Sequence, residues 1–404
     1  MRHAGIGQLP GSYHLCIASA TQGPSTGMLP SDPQPVLESK PGFLPRERIQ
    51  DLLDHLERSG YSCVGPTVRD GAIVYQRLPS AADLPVGVSD EQAPGSYRLR
   101  ATGSPRHFAW ANGPQALKPM LFAPRETLWR ATRREDGRLT FASEVPAPRP
   151  IAFIGSRACD LAALALQDQH FLGGAYPDSC YESRRKGLMI IAVHCSHPAP
   201  TCFCASTGDG PRATFGFDIA LAELDEGFVA HSGSEKGQII LQAMGLSEAS
   251  PQHLAQAQTQ TEQAAAVQVR TLPGRNLRAA LFSNLEHPRW QEVAQRCLSC
   301  ANCTSVCPTC FCHSEAELAQ LNGASSEHVR EWDSCFARGH SYIHGLTIRP
   351  DTRTRYRQWL THKLGSWHEQ YGRSGCVGCG RCISWCPVGI DITEEAGAIC
   401  SDGR

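Results

Sequence analysis

Two runs of cysteines near the end of the chain share one spacing. In each run, two, two and three residues separate consecutive cysteines, and a proline follows the fourth. The first run is Cys297, Cys300, Cys303 and Cys307, and the second is Cys376, Cys379, Cys382 and Cys386. Thiolates at this spacing are typical ligands of [4Fe–4S] clusters. The two runs therefore predict two such clusters and one-electron chemistry.

The spacing also predicts how the eight thiolates are shared. The first three cysteines of a run can wrap three corners of one cubane, whereas the fourth points to the neighbouring cluster, as in bacterial ferredoxins. Cluster 1 would take Cys297, Cys300, Cys303 and Cys386, and cluster 2 would take Cys376, Cys379, Cys382 and Cys307. Zinc is the rival interpretation, but zinc knuckles use two cysteines each and leave half of each run unexplained. Gly375, Gly378 and Gly380 are expected to let the backbone pass close to sulfur.

A third group of cysteines follows two predicted strands of the first half of the chain. Cys159 opens a predicted helix after one strand, and Cys195 directly follows the next. Both residues are expected at the carboxyl edge of a parallel sheet, where α/β folds place their ligands. The predicted set is Cys159, Cys195, Cys202 and Cys204, with Cys180 as a fifth candidate. It could hold a third cubane, or the thiols could be buried and structural. Nearby His170, His194 and His197 are expected to be core or solvated residues.

The composition excludes several classes of protein. The 404 residues, 41% of them hydrophobic, are enough for two or three folded domains. A net charge of −1 gives no electrostatic reason to bind nucleic acid or an anionic membrane. Apolar runs are shorter than the roughly 18 residues that a membrane span needs, and the N-terminus lacks the pattern of an export signal. Nineteen cysteines without such a signal indicate metal or redox chemistry in the cytoplasm.

Periodicity predicts the elements that position these cysteines. Residues 46–58 form an amphipathic helix, and 61–64 with 72–76 form a hairpin. Strand Pro150–Ile154, helix Cys159–Phe171 and strand Leu188–Val193 form a βαβ unit.

The 68 residues between Cys307 and Cys376 are predicted to be largely helical, with one helix at Glu315–Leu321 and another at Arg355–Leu364. Cys310, Cys312 and Cys335 in this spacer are buried free thiols, or ligands of a further metal completed by His313 or Cys400.

The predicted fold class is α+β. An N-terminal α/β domain with the βαβ unit is followed by a helical linker and an α-helical, ferredoxin-like dicluster domain. The predicted boundaries are an irregular leader at 1–40, the α/β domain at 41–232, the linker at 233–290 and the dicluster domain at 291–404. Met28 is an alternative start of translation.

Several motifs resemble one family over roughly residues 42–395. They are Arg157-Ala158-Cys159-Asp160-Leu161, Cys202-Phe203-Cys204, Cys307-Pro308-Thr309-Cys310-Phe311-Cys312, Trp332-Asp333-Ser334-Cys335 and Cys376-Val377-Gly378-Cys379-Gly380-Arg381-Cys382. The chain resembles the β, iron–sulfur subunit of soluble sulfhydrogenase-type nickel–iron hydrogenases, which is related to an iron–sulfur subunit of anaerobic sulfite reductase. The resemblance implies two [4Fe–4S] clusters and favours the third. The leader departs from the family pattern.

The resemblance also implies partners. In such hydrogenases a large subunit holds nickel–iron, a small subunit carries clusters, and a flavin subunit handles NAD(P)H. Here no Gly-x-Gly-x-x-Gly follows a strand, and no pair of C-x-x-C motifs lies at opposite ends of a large chain to hold nickel. We therefore expect no catalytic residues, but an electron-transferring subunit between a flavin/NAD(P) module and a NiFe hydrogenase module. The alternatives are the corresponding subunit of a sulfite reductase, and a redox-sensing or structural iron–sulfur protein.

Overall fold

A computed structural model describes residues 40–401 of the chain. The strands are β1 Gly42–Pro45, β2 Ser62–Arg69, β3 Ala72–Arg77, β4 Val88–Ala93, β5 Ser96–Ala101, β6 Arg125–Arg133, β7 Leu139–Ser143, β8 Ile151–Ser156, β9 Leu188–Val193, β10 Ile219–Glu223, β11 Gly227–Ser232, β12 Ser247–Glu248, β13 His313–Ala319, β14 Ser325–Trp332, β15 Tyr342–Ile343 and β16 Leu346–Thr347. The predicted leader lies almost wholly outside the described residues, and so does the alternative start at Met28.

The helices lie between and after these strands. They are α1 Ile49–Arg58, α2 Lys118–Leu121, α3 Ala158–Leu172, α4 Ser179–Lys186, α5 Cys204–Thr207, α6 Glu235–Ala243, α7 Pro251–Ala266, α8 Arg278–Ser283, α9 Arg289–Arg296, α10 Asn302–Ser305, α11 Thr352–Thr361, α12 Trp367–Tyr371, α13 Arg381–Ser384 and α14 Ile392–Ser401. In the part of the chain that the structure describes, no helix is both long and apolar enough to cross a membrane.

The largest sheet has eight strands in the order β12-β1-β11-β10-β9-β8-β2-β3. Its four central strands, β10, β9, β8 and β2, are parallel to their neighbours in this group. Every residue of β9 is buried, as expected for a strand covered on both faces. Helix α3 follows β8, and the chain returns through α4 to β9, which is parallel to β8. The strands and the helix of the predicted βαβ unit therefore lie where the sequence indicated. The predicted mixed α+β class is confirmed.

Helix α1 covers one face of this sheet. Its apolar residues recur at helical spacing, and Leu52, Leu53 and Leu56 are buried in the same core as Met189 and Ile191 of β9. This packing explains why a helix of ten residues is stable here, since an isolated helix of that length is marginal in water.

A second sheet, in the order β13-β14-β6-β7, corrects one prediction. The predicted helix at Glu315–Leu321 is wrong, because this segment forms most of β13 and pairs antiparallel with β14. Glu, Ala and Leu favour a helix locally, but the strand is held by its ladder and by cross-strand pairs. His328 of β14 lies 2.6 Å from a Glu317 carboxylate oxygen and stacks on Trp129 of β6. The later part of the spacer agrees with its prediction, because α11 continues through a π-helical turn at His362–Ser366.

Candidate iron–sulfur sites

The four cysteines predicted for cluster 1 line a single cavity. They are Cys297, Cys300, Cys303 and Cys386. The remaining wall is mostly apolar, and its largest side chains are Phe336, Tyr356 and Trp359. A fifth cysteine, Cys382, also reaches this cavity. The four predicted thiols and the apolar wall, which would retain little water, fit a cubane whose four irons each take one thiolate.

The first cysteine run is positioned by the helix that precedes it. Cys297 caps the C-terminus of α9, and the loop then turns through Ser299 and Ala301, which have φ values of 51° and 66°. Ser299 N donates to the Cys297 sulfur over 3.4 Å, and Ile390 N donates to the Cys386 sulfur over 3.3 Å. Backbone N–H groups directed at sulfur stabilise thiolate charge and raise the potential of a bound cluster.

The four cysteines predicted for cluster 2 also lie together. Burial raises the pKa of Cys382, and the thiols of Cys376, Cys379, Cys307 and then Cys303 add to this rise. Burial likewise raises the pKa of Cys303, and the thiols of Cys297, Cys386, Cys300 and then Cys307 add to it. Each of these two cysteines is thus affected more strongly by the fourth cysteine of the other run than by the fourth cysteine of its own. Cys382 also lines the first cavity, so the two groups are adjacent.

Among residues 40–401, no three His, Cys, Asp or Glu side chains converge closely enough to hold a single metal ion. A cubane requires no such convergence, because each thiolate binds a different iron.

The glycines of the second run serve a close contact with another loop. Gly378 and Gly380 have φ values of 65° and 73°, which favour glycine. A Cβ at Gly378 would lie 2.5 Å from the Cys204 nitrogen, and one at Gly380 would lie 2.5 Å from the Thr201 oxygen. Phe203 N donates to the Gly378 oxygen over 2.8 Å. The Gly378 backbone also hydrogen-bonds the Cys376 thiol, as the sequence predicted, so the same residue serves both sulfur and the packing against residues 201–204.

That neighbouring loop belongs to a third thiol-lined cavity at the edge of the large sheet. Its cysteines are Cys159, Cys195, Cys202 and Cys204, the four that the sequence placed at this edge. Asn112 Nδ2 donates to the Cys159 sulfur over 3.2 Å, and Gln268 Nε2 donates to the Cys204 sulfur over 3.5 Å. Four buried or half-buried thiols with amide donors directed at sulfur suit the same kind of cluster.

The other candidates near this edge lie elsewhere. Cys180 is on α4 beside Glu126 and Asp178, and it does not line the third cavity. His194 is a buried core residue whose Nδ1 accepts from Ala213 N over 3.0 Å, whereas His197 is exposed. His170 is half-buried against Phe311, with ring centroids 3.5 Å apart.

Buried cations accompany the thiols. Arg381 is fully buried in the second run and lies 2.8 Å from Asp160 of α3, next to Cys159. Lys363 is buried beside Cys307 and donates to Thr309 Oγ1 over 2.8 Å. The negative charge of Cys307 and Cys310 raises the pKa of Lys363 against the opposing effect of burial. These cations offset the charge that several buried thiolates would accumulate.

Comparison with known proteins agrees with this geometry. A family model described as "4Fe-4S dicluster domain" matches residues 296–390. The chain carries a 4Fe-4S dicluster domain. It is also 29% identical over 277 residues to "Sulfhydrogenase 2 subunit beta" of Pyrococcus furiosus, a match that covers 68% of this chain and 79% of that protein. The predicted resemblance to sulfhydrogenase β-type iron–sulfur subunits is confirmed. No solved structure matches the chain.

The dicluster domain contains polar residues that sequence reasoning missed. His340 lies beside Cys312 and bonds Asp333 through Nδ1 over 2.8 Å. His313, the partner considered from the sequence, instead bonds the Phe311 oxygen. The Trp-Asp-Ser-Cys motif contains Asp333, but no spacing rule links it to a histidine seven residues later. Asn112, Gln268 and Lys363 were missed for the same reason, since only the fold brings them to the thiols.

Proposed function

We propose that this chain is the electron-transferring iron–sulfur subunit of a sulfhydrogenase-type complex, joining a flavin/NAD(P) module to a NiFe hydrogenase module. The observation that carries the proposal is the division of the two cysteine runs into two adjacent groups. Cys386 shares the first cavity with three thiols of the other run, and Cys307 is among the thiols that raise the pKa of Cys382, which supports this division. A pair of cubanes held in this way is suited to electron transfer and supplies no bond-making chemistry of its own.

The proposed ligands follow from these groups. Cys297, Cys300, Cys303 and Cys386 would hold cluster 1, and Cys376, Cys379, Cys382 and Cys307 would hold cluster 2. Bound [4Fe–4S] clusters supply one-electron oxidation and reduction. The protein orients the thiolates through the loops that follow α9 and precede α13. It excludes water with Phe336, Tyr356 and Trp359, and directs N–H groups at the Cys297 and Cys386 sulfurs.

We propose a third [4Fe–4S] cluster held by Cys159, Cys195, Cys202 and Cys204. The support is their common cavity and the amide donors of Asn112 and Gln268. The second cysteine run touches residues 201–204 through Gly378 and Gly380, so this site would lie next to cluster 2. The three sites would then extend from the edge of the large sheet to the C-terminal helices.

The partners are part of the same proposal. The relative's printed name is that of a subunit, which supports assembly into a larger complex. We propose hydrogenase large and small subunits and a flavin- and NAD(P)-binding subunit as its partners, in the cytoplasm. The domain boundaries given above, at 41–232, 233–290 and 291–404, belong to this proposal as well.

Anaerobic purification of the native complex tests the proposal. We expect nickel and flavin in partner chains, hydrogen-dependent reduction of a viologen dye, and about eight or twelve irons on this chain, for two or three cubanes. Electron paramagnetic resonance should show reducible clusters. Sirohaem in a partner would replace the hydrogenase assignment by sulfite reduction. A chain that binds no partner, or clusters that no partner reduces at catalytic rates, would contradict an electron-transfer role.

A further inference from the structure

Strands β15 and β16 form a small hairpin that presents apolar side chains to solvent. The two strands pair antiparallel through two residues each. The exposed apolar residues keep between 51% and 66% of their accessible surface, and they are Tyr342, Ile343, Leu346 and Ile348. Four such side chains close together in the chain form a patch, and exposed apolar patches mark interaction sites more often than scattered single residues do. A two-stranded hairpin is marginally stable in water, so a partner that covers this patch would also stabilise it.

The geometry of the hairpin places its aliphatic residues on one face. His344 and Gly345 form the turn, and their φ values of 45° and 89° have the sign that a type I′ turn requires. Ile343 lies directly opposite Leu346 in the ladder. Because side chains alternate along a strand, Ile348 falls on the same side as Leu346. These three residues therefore form a single aliphatic face.

The base of the hairpin is held by hydrogen bonds. Ile348 N donates to the Ser341 oxygen over 3.0 Å, and Arg349 N donates to Ser341 Oγ over 3.1 Å. The buried Arg355 of α11 donates to the Arg349 and Pro350 carbonyl oxygens over 3.3 and 2.9 Å. A surface that is fixed in this way loses little conformational freedom when a partner binds, which lowers the cost of association.

The hairpin lies next to the proposed cluster 1. Before the hairpin, Phe336 lines the first thiol cavity, and after it the Thr352 hydroxyl lies 3.1 Å from that of Ser299. Ser299 stands between Leu298, which is 63% exposed, and Cys300, which is also exposed. The base of the hairpin and the exposed part of the first cysteine run are therefore close together. Since electron transfer slows steeply with distance, a redox partner bound at this surface would be well placed to exchange electrons with cluster 1.

Positive charge accompanies the apolar face. Residues 338–357 contain five arginines and one acidic residue. Arg353 and Arg357 share the single carboxylate of Glu286, which leaves a surplus of positive charge, and Arg338 is exposed. An apolar centre with arginine at its edge is typical of protein–protein interfaces. The complementary surface has an apolar centre and an acidic rim.

We propose that the β15–β16 hairpin and the loop around Leu298 form the surface on which an electron-exchanging subunit docks, one that presents an apolar recess rimmed by Asp and Glu. This inference rests on the proposed function, since it assumes a redox partner for cluster 1. A second copy of this chain is a poor occupant, because a symmetric contact would bring the arginine-bearing surface against itself. A stable interface uses about 20–30 residues on each side, so the partner must extend beyond the hairpin over the neighbouring loop.

Photo-cross-linking in the native complex tests the surface directly. The whole chain carries p-benzoylphenylalanine in place of Tyr342, the complex is purified anaerobically and irradiated, and cross-linked peptides are identified by mass spectrometry. We expect cross-links to a peptide of another subunit that contains Asp or Glu beside an apolar segment. The same label in place of Leu321, an exposed residue between β13 and β14, should not reach that peptide. Cross-links confined to this chain or to a second copy of it, or none at all, would overturn the proposal.

Polar substitution of the aliphatic face measures how much the contact contributes. Ile343→Ser/Leu346→Ser should raise the dissociation constant of the complex by at least about 30-fold, the effect of losing one strong interface residue. The constant is measured by mass photometry of the diluted complex. Iron content should stay unchanged, because neither residue is a proposed ligand. Leu321→Ser is the matched control and should leave the constant unchanged; equal constants for the double variant and the control would overturn the proposal.

The arginines should make association depend on salt. Arg338→Glu places a negative charge opposite the proposed acidic rim, so at low salt it should slow association with the remaining subunits about tenfold, by an amount that shrinks as ionic strength rises. The rates are measured by biolayer interferometry. Arg134→Glu, at an exposed position in the turn between β6 and β7, should associate like the wild type. An equal or faster rate for Arg338→Glu would overturn the assignment of an acidic partner.

Two further results separate this inference from its alternatives. An anionic membrane also attracts arginine and apolar side chains, so the whole chain is floated with phosphatidylglycerol vesicles, and we expect it not to bind them. Binding that Ile343→Ser/Leu346→Ser abolishes would overturn the protein partner. Failure of the proposed function would appear differently, as a wild-type chain that purifies without partners or as clusters that no partner reduces. A complex that stays intact in the double variant contradicts only this docking surface.

Discussion

The thiol cavity of the dicluster domain and the thiol cavity at the sheet edge hold similar donors but are built differently. In the dicluster domain three cysteines of each group come from one short loop, and the walls are aromatic and aliphatic. At the sheet edge the thiols come from the start of α3, the end of β9 and the loop before α5, and Arg157 and Asn112 line the wall. The first construction depends on local spacing, and the second depends on the fold of a whole sheet.

This difference has consequences for stability. A loop that carries three of a cluster's four ligands brings most of the site together locally, and only the fourth thiol comes from the other run. The sheet-edge site requires β8, α3 and β9 to be in register before Cys159 and Cys195 meet. Substitutions that weaken the sheet should therefore disturb the sheet-edge site before the dicluster site.

The largest effect is expected from removing the fourth ligand, which each cysteine run is proposed to contribute to the cluster of the other run. If cluster 1 has the proposed ligands, Cys386→Ala leaves it with three thiolates, so we expect a loss of about four irons per chain and of electron transfer. The decisive comparison is spectroscopic. Cys297→Ala should remove the same paramagnetic signal as Cys386→Ala, and Cys307→Ala should remove the other one. If Cys386→Ala and Cys376→Ala share a signal instead, each run binds its own cluster.

The sheet-edge site is tested by Cys202→Ala. If this cavity holds a cubane, iron should fall from about twelve to about eight per chain, while the dicluster signals persist. Cys180→Ala is the matched control, because this thiol is equally buried but lies outside the cavity. An unchanged iron content in Cys202→Ala would assign the four thiols a structural role.

The buried ion pair between the two sites is tested by Asp160→Asn. Arg381 has no exposed surface on its side chain, and Asp160→Asn removes the one carboxylate among residues 40–401 that pairs with it, leaving only the neighbouring thiols. We expect the free energy of unfolding to fall by about 3–5 kcal/mol, measured as a lower denaturant midpoint by circular dichroism. Asp70→Asn breaks the exposed pair with Arg69 and should cost no more than about 1 kcal/mol. An equal decrease in the free energy of unfolding in the two variants would show that the buried pair stabilises the fold no more than the exposed one.

His170 should make the fold sensitive to acid. Burial lowers its pKa to about 4, so below the unfolded value of about 6.5 the unfolded chain binds the additional proton. Stability is therefore fully present above pH 6.5 and falls as the pH drops toward 4. When the pH falls from 7 to 5, the free energy of unfolding of His170→Gln should decrease by about 1–2 kcal/mol less than that of the wild type, measured by denaturant titration. The control His344→Gln, at an exposed position, should show the same dependence of stability on pH as the wild type. If stability depends on pH in the same way in all three proteins, His170 is not the cause of the acid sensitivity.

The smallest effect is expected at the N-terminus of α11. The Asp351 side chain accepts from Thr354 N over 2.8 Å and caps this helix. Asp351→Ala should cost about 1 kcal/mol in unfolding free energy, and Asp351→Ser should recover most of it. Iron content should not change in either variant, since this end of α11 carries no thiol.

The sequence predicted the parts of the molecule that obey local rules. The spacing within each cysteine run, the apolar period of α1 and the apolar run of β9 are patterns among residues close together in the chain. The structure contains the helix and the strand that these patterns predict. The segment of β13 was mistaken for a helix because its exposed residues carry no strand alternation, and its structure depends on β14 and β6. His340 and Lys363 could not be found because they reach the thiols only through tertiary packing. The grouping of Cys159 with Cys204 was reached because parallel strands end at a common edge.

The bare backbone at Gly378 and Gly380 limits how this protein can be divided. Residues 201–204 occupy the space that side chains at these two positions would fill, so one wall of the second cysteine loop is supplied by a segment some 175 positions earlier. Grafting the C-terminal portion alone onto a foreign scaffold would leave that loop facing solvent. A functional transplant must therefore carry the sheet edge with it.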